Sequence, residues 1–274
     1  MSGKISKKLV QQFVWYRVFL YFCTHQNLKI MKYTLLLVAT FAVLTGCRRA
    51  NPEIVSAELV PINAGDVVAD SAMQQLIAPY KTAQAVEMNV VVGESDQLMR
   101  AELPEGLLNA FVSDAMLAFG NALKPTDMAI TNFGGLRNDL PQGAVTVGHV
   151  LQIMPFDNAL VFVELKGTDV RRLADAVAAK GGEVETGMAL TIRNGKAENV
   201  LVGGQPIDDE RIYRIITTDY LSYGSDHLEP LADHIHIEVI GTMLRDALIN
   251  HIRRETEAGH IIHTNLKHQI HVEK

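Results

Sequence analysis

The chain has 274 residues, 48% of them hydrophobic and 20% charged, with 31 acidic against 25 basic side chains. Residues 1–46 carry six Lys and Arg and no acid, so residues 47–274 hold 19 basic residues against all 31 acids, a net of −12. That length supports one domain with a sizeable core, the acidic surface argues against nucleic-acid polymers and anionic membrane patches as partners, and two cysteines, Cys23 and Cys47, leave the domain neither a disulfide nor a thiolate metal site.

Met31-Lys32 opens a basic start, an apolar run follows over residues 34–43, and Leu44-Thr45-Gly46-Cys47 closes it. This predicts a secretion signal over residues 31–46. The run is too short for a stable membrane span, which is the competing reading. The small residues before Cys47 resemble a bacterial lipobox, whose cysteine becomes the acylated first residue of an exported protein. Such a signal has no use for residues 1–30, with their aromatic run from Phe13 to Phe22. They read as an over-extended start, or alternatively as a membrane-associating leader. Residues 47–70 read as a tether.

The domain is expected over residues 71–258. A helix is expected over residues 71–80 and a β-branched strand over 86–93. Leu107, Phe111, Ala115 and Phe119 recur every four residues and predict an amphipathic helix over 105–123. Met128, Ala129 and Ile130 form a short strand entering Asn132-Phe133-Gly134-Gly135-Leu136-Arg137. Residues 159–165 are apolar at nearly every position, as in a strand buried on both faces. Thr168 is expected to cap a helix with an inner stripe of Val170, Leu173, Ala174 and Val177.

Asn194-Gly195 between residues 189–193 and 197–202 is a hairpin signal. A strand over 211–217 leads to Tyr220. A last amphipathic helix is expected over 243–254, and residues 259–274 read as a loose, polar, histidine-rich tail. The order of elements predicts an α/β or α+β domain, single and compact, with a mixed sheet and flanking helices.

The chemistry concentrates in three stretches. Gly134 and Gly135 let the backbone turn with positive φ and approach a ligand closely. Asn132 before them supplies an amide, and Arg137 after them a planar fork suited to phosphate or carboxylate. Met154-Pro155-Phe156-Asp157-Asn158 adds an aromatic platform, and Tyr220 to Asp226 a second aromatic and an acid. A nucleotide-like ligand suits this set. An ordinary tight turn with a surface Arg, and core aromatics, suit the same residues. His234 and His236 could share one face of a strand and one metal, but no carboxylate pattern accompanies them, and a solvated strand fits them better.

These stretches resemble the Asn-x-Gly-Gly-x-Arg, Pro-Phe-Gly-Asn and Gly-Gly-Asp-Gly motifs of the 5′-nucleotidase C-terminal domain family, the substrate-binding half of periplasmic 5′-nucleotidases and UDP-sugar hydrolases. Residues 107–116 resemble the family's opening helix, and the order and spacing of all four segments agree. The resemblance implies that Arg137 contacts a phosphate and Asn132 the base, while Phe156 and Tyr220 sandwich that base. It implies that Asp226 accepts from the ribose hydroxyls and that Asn158 supports the base loop. Asp157 stands where the family has Gly, Ser225 and His227 replace two further glycines, and Arg100 is the one candidate for an additional arginine before the opening helix.

The full enzymes also have a metallophosphatase domain with an Asp-x-His, a Gly-Asp-x-x-Asp and an Asn-His-Glu motif, none of which occurs in this sequence. Two-metal hydrolysis needs such ligands. The sequence therefore suggests the nucleotide-binding half of a split 5′-nucleotidase, exported and lipid-anchored through Cys47. It would present substrate to a separately encoded metallophosphatase that carries the divalent metals, with no cofactor and no metal site of its own. A stand-alone nucleotide- or nucleoside-binding lipoprotein without catalysis is the alternative, and a structural lipoprotein that has lost the pocket is the third reading.

Overall fold

The computed structural model describes residues 68–273, together with Tyr33 and Leu37. The expected leader, the signal over 31–46, Cys47 and nearly all of the tether lie outside the described residues. No described helix is long and apolar enough to cross a membrane.

A mixed five-stranded sheet organises the domain. Its strands are β2 (Met128–Thr131), β4 (Ala159–Lys166), β5 (Val184–Thr186), β9 (Ile212–Thr218) and β10 (His236–Met243), in the order β10-β4-β9-β2-β5. β2 and β9 run parallel, and every other neighbouring pair is antiparallel. Alternate residues of each strand face opposite sides. Leu160 and Phe162 of β4, Ala129 of β2 and Ile216 of β9 therefore enter one core, while Val161, Val163, Met128, Ile130 and Ile215 enter the other. Both faces are covered, which is why β2 and β4 read as unbroken apolar runs.

On the first face lie α2 (Leu107–Leu123) and α6 (Leu244–Glu257), and on the second α4 (Gly167–Ala179) and the single turn α5 (Asp219–Ser222). The predicted stripe Val170, Leu173, Ala174 and Val177 of α4 is fully buried. The cap differs, because Lys166 takes the N-cap position and no side chain caps the helix, so Thr168 lies inside the first turn. In α2 the buried face is Leu108, Phe111, Val112, Ala115 and Met116. Leu107 and Phe119 are only partly buried against it, a rotation of about one residue from the predicted stripe. The helix of residues 243–254 begins one residue later, Met243 ending β10 instead.

The hairpin forms as read: β6 (Met188–Arg193) and β7 (Lys196–Val202) pair antiparallel, with Asn194 at φ 51 and Gly195 at φ 72, the doubly left-handed turn that matches strand twist. β8 (Gln205–Pro206) extends this second sheet. The expected loose tail instead contributes β11 (Ile270–Glu273), parallel to β6, with Ile262 and Ile270 buried. Those isolated apolar residues among histidines carry no periodic signal.

At the N-terminal end α1 (Ser71–Met88) runs through Pro79 and past the expected stop, so the strand predicted over 86–93 shortens to β1 (Val91–Ser95). Asp70 caps α1, its carboxylate accepting from the Ala72 and Met73 amides. No residue of α1 is buried. β1 pairs with β3 (Gly143–Thr146), which leads into α3 (Val147–Ile153).

Candidate functional site

Strand direction brings the three motif stretches together. β2 and β9 are parallel neighbours, so their exits lie side by side, and β4 runs antiparallel to β9, so its entrance lies at the same end. β2 exits into Asn132, β9 into Tyr220, and the chain enters β4 from Phe156 and Asn158. Crevices at the carboxyl ends of strands are where open α/β sheets place their ligands.

Asn132, Gly134, Gly135, Phe156, Asn158, Tyr220 and Asp226 line one open cavity of about 330 Å³, within the ~300–1,000 Å³ usual for small-molecule sites. A narrow cleft continues from it between Thr131, Leu136, Met154 and Leu244. Seven of the eight residues expected to bind substrate share this lining. Phe156 and Tyr220 keep 43% and 46% of their surface exposed. Rings so exposed are poor core residues and good platforms.

The glycine turn works differently from the expectation. Neither Gly134 nor Gly135 has a positive φ. They close a short 3₁₀ turn over Phe133–Gly135, with the Gly135 amide donating to the Asn132 carbonyl at 2.9 Å. The requirement is space, since a Cβ on Gly135 would lie 3.0 Å from Asn132 Oδ1. Glycine lets the Asn132 side chain fold over its own turn.

Arg137 is the eighth expected residue, and it does not line the cavity. Its backbone amide donates to the Ile153 carbonyl at 2.8 Å, and its Nη1 donates to the Gly134 carbonyl at 3.2 Å. Arg100 is likewise elsewhere, pairing with Asp139 at 3.5 Å.

Residues with no motif signature hold the walls. Asp219 Oδ1 accepts from the Ala159 amide at 3.2 Å and the Tyr220 amide at 2.7 Å, joining the two ring-bearing segments. Lys180 Nζ donates to the Asp226 carbonyl at 2.8 Å and to its Oδ2 at 3.1 Å, and pairs with Glu183. Glu183 Oε2 in turn accepts from the Phe133 amide at 2.5 Å and the Val184 amide at 3.3 Å. Burial pushes the Glu183 carboxyl above its usual range although Lys180 and the two amides pull it down. Burial also works against the Lys180 charge, but Glu183 and then Asp226 outweigh it and hold the ammonium above its ordinary value.

Asp219 stands directly before the recognised Tyr220, and Lys180 and Glu183 flank a Gly-Gly pair, so a local signal existed for these three. Arg245, which pairs with Asp157, has none.

Asp226 and His227 sit at φ 58 and φ 61, the left-handed region. His234 Nδ1 contacts the Leu231 carbonyl at 2.9 Å, and His236 begins the edge strand β10. Among the described residues no three His, Cys, Asp or Glu are grouped to hold a metal ion. The cavity's amide, carboxylate and two rings suit a planar base on a hydroxyl-bearing sugar.

A family model described as 5′-nucleotidase, C-terminal domain, matches residues 91–233. The chain is 24% identical over 209 residues to a 5′-nucleotidase of Vibrio vulnificus, covering 68% of this chain and 38% of that protein. It is 24% identical over 202 residues to Protein UshA of Yersinia enterocolitica, covering 65% of this chain and 37% of that one. A 5′-nucleotidase precursor from Thermus thermophilus shares the fold at a TM-score of 0.64 and 22% identity, covering 73% of this chain and 42% of that structure.

Proposed function

The chain belongs to the 5′-nucleotidase C-terminal domain family, and from that premise we propose that it is the nucleotide-holding half of a split phosphoesterase. One observation carries the reading: Asn132, Phe156, Asn158, Tyr220 and Asp226, from three separate loops, line a single cavity. The chain spans 38% of the length of the Vibrio relative. In this reading the remaining function, water activation by divalent metals, belongs to a separately encoded metallophosphatase. The proposal includes export and a lipid anchor at Cys47, which would hold both halves at one membrane surface and raise their effective concentration.

Mixing the purified chain with an exported metallophosphatase of the matching type and divalent metal should produce AMP hydrolysis that neither protein shows alone. Phe156→Ala in this chain should reduce it. Hydrolysis no faster than that of the phosphatase alone would refute the split-enzyme reading.

The position of Arg137 favours a second reading, a stand-alone nucleoside-binding lipoprotein. Arg137 is absent from the cavity lining and its fork is engaged by the Gly134 carbonyl, leaving the phosphate without its expected partner. A thermal-shift series separates the two, because a ligand that binds only the folded state raises the midpoint with its saturation. AMP shifting the midpoint more than adenosine supports the first; equal shifts support the second.

A further inference from the structure

We propose that Lys180 is a positioning residue that sets the pocket's selectivity for ribose over deoxygenated sugars. This rests on the nucleoside-pocket reading above. Lys180 is the C-cap of α4, in a segment that carries none of the motif stretches. Its ammonium touches Asp226 twice, at the backbone carbonyl and at Oδ2. Asp226 lines the cavity from a left-handed backbone at φ 58, a conformation aspartate tolerates better than most residues. The contact to Oδ2 fixes the carboxylate's rotation and leaves Oδ1 without a protein hydrogen bond among the described residues. An acceptor so held can take a sugar hydroxyl without first being ordered.

The same ammonium pairs with Glu183, whose side chain is fully buried. Glu183 holds the Phe133 amide at the first residue of the glycine turn. One cation thus ties the wall that carries Asp226 to the wall that carries Asn132 and Gly135. Glu183 and Asp226 are the two carboxylates this cation faces, so removing it leaves two negative groups with no counter-charge between them. The Glu183 carboxyl can take up a proton, already favoured by burial. Asp226, with 30% of its side chain exposed, loses the contact that holds its carboxylate.

The test uses the full chain and three probes: adenosine, 2′-deoxyadenosine and 2′,3′-dideoxyadenosine, titrated by calorimetry. Wild type should prefer adenosine to the dideoxynucleoside by about tenfold or more, the worth of hydrogen bonds to a charged acceptor. Lys180→Met should bring that ratio within about twofold, mainly by weakening adenosine. Dideoxyadenosine, held by stacking on Phe156 and Tyr220, should bind nearly as before. Lys180→Arg, which keeps the charge, should restore most of the preference. A merely structural lysine would weaken all three probes alike, so an unchanged ratio in Lys180→Met overturns the proposal. Should that variant fail to fold, Lys180→Gln takes its place with the same expected fall, and an unchanged ratio again overturns it. Wild type that binds the probes without preferring adenosine overturns this proposal alone, whereas wild type that binds none overturns the pocket reading beneath it.

Discussion

Arg245 lies against Asp157, its Nη1 paired with the aspartate Oδ1, on a side chain only 26% exposed where that of Asp157 is 76% exposed. Asp157 replaces the family's glycine between two cavity-lining residues, Phe156 and Asn158. The substitution brings its own counter-ion, so it places no unbalanced anion beside the site.

Removing that counter-ion has a charge-dependent signature. Arg245→Ala should weaken AMP more than adenosine, by at most about fivefold, because partly exposed pairs are worth no more than ~1 kcal/mol. Asp157→Gly in the Arg245→Ala background should recover the loss. Calorimetric titration of both ligands at low salt reads the difference; equal weakening of AMP and adenosine would refute it.

The stacking platforms should act on base alone. Phe156→Ala and Tyr220→Ala should each cost roughly 1–3 kcal/mol of binding for nucleosides and nucleotides equally. Arg137→Ala discriminates the two functional readings. It weakens nucleotides selectively if the fork swings from Gly134 to a phosphate, and changes neither ligand if it does not.

Asp219 should matter to both stability and binding, since it holds Ala159 and Tyr220 through one oxygen. Asp219→Ala should lower stability by about 1.5–3 kcal/mol, the range for a charged acceptor removed from a half-buried amide. Urea denaturation measures this, and a loss below ~0.5 kcal/mol would contradict the bridging role.

His227 occupies the left-handed region at φ 61 where the family carries glycine, and its side chain is 85% exposed. Little but backbone conformation is at stake there. His227→Gly should therefore stabilise the protein by about 0.5–1 kcal/mol, strain relief of ~1–2 kcal/mol being partly offset by the entropy of the unfolded chain. A lowered denaturation midpoint would show that His227 makes a contact that matters.

Glu185 gives the domain a pH dependence. Burial pushes its carboxyl up to about 8, the nearby Glu105 and Asp114 adding to the rise while the Met188 amide and Lys267 oppose it. The folded state therefore holds a proton that the unfolded chain releases near pH 4.5. The contribution is complete below that value and lost as pH rises toward 8, at up to ~1.4 kcal/mol per pH unit. Glu185→Gln should flatten the fall in urea midpoint between pH 5 and pH 8, and a parallel fall in both proteins would refute the assignment.

Three of the domain's features were legible because one physical cause dominated each. The Asn194-Gly195 turn is dictated by backbone sterics alone, β4 by burial on both faces, and the α4 stripe by helical period. The motif residues converge as their order implies, except Arg137, whose long side chain finds a carbonyl three residues back. Lys180 and Glu183 flank a Gly-Gly pair that could have marked them, but their partners Asp226 and Phe133 lie 46 and 50 residues away in the chain, and no local pattern marks Arg245 opposite Asp157. The tail misled because Ile262 and Ile270 are buried singly, by contacts with distant strands, and single apolar residues among polar ones have no period to read. α1 overran its expected end at residue 80 and continues to Met88 with none of its residues buried, so no buried stripe marks its length in the sequence.

The parallel pairing of Met128 with Ile215 has a kinetic consequence. These strands stand far apart in the chain, so their pairing must close a long loop before any contact repays the lost entropy. The cavity comes into being only when that closure is complete, since Asn132 and Tyr220 hang from the two strands it joins. Recovery of nucleoside binding during refolding should therefore trail the appearance of helical signal. A substitution within β2 or β9, far from any ligand, can delay the site without altering it.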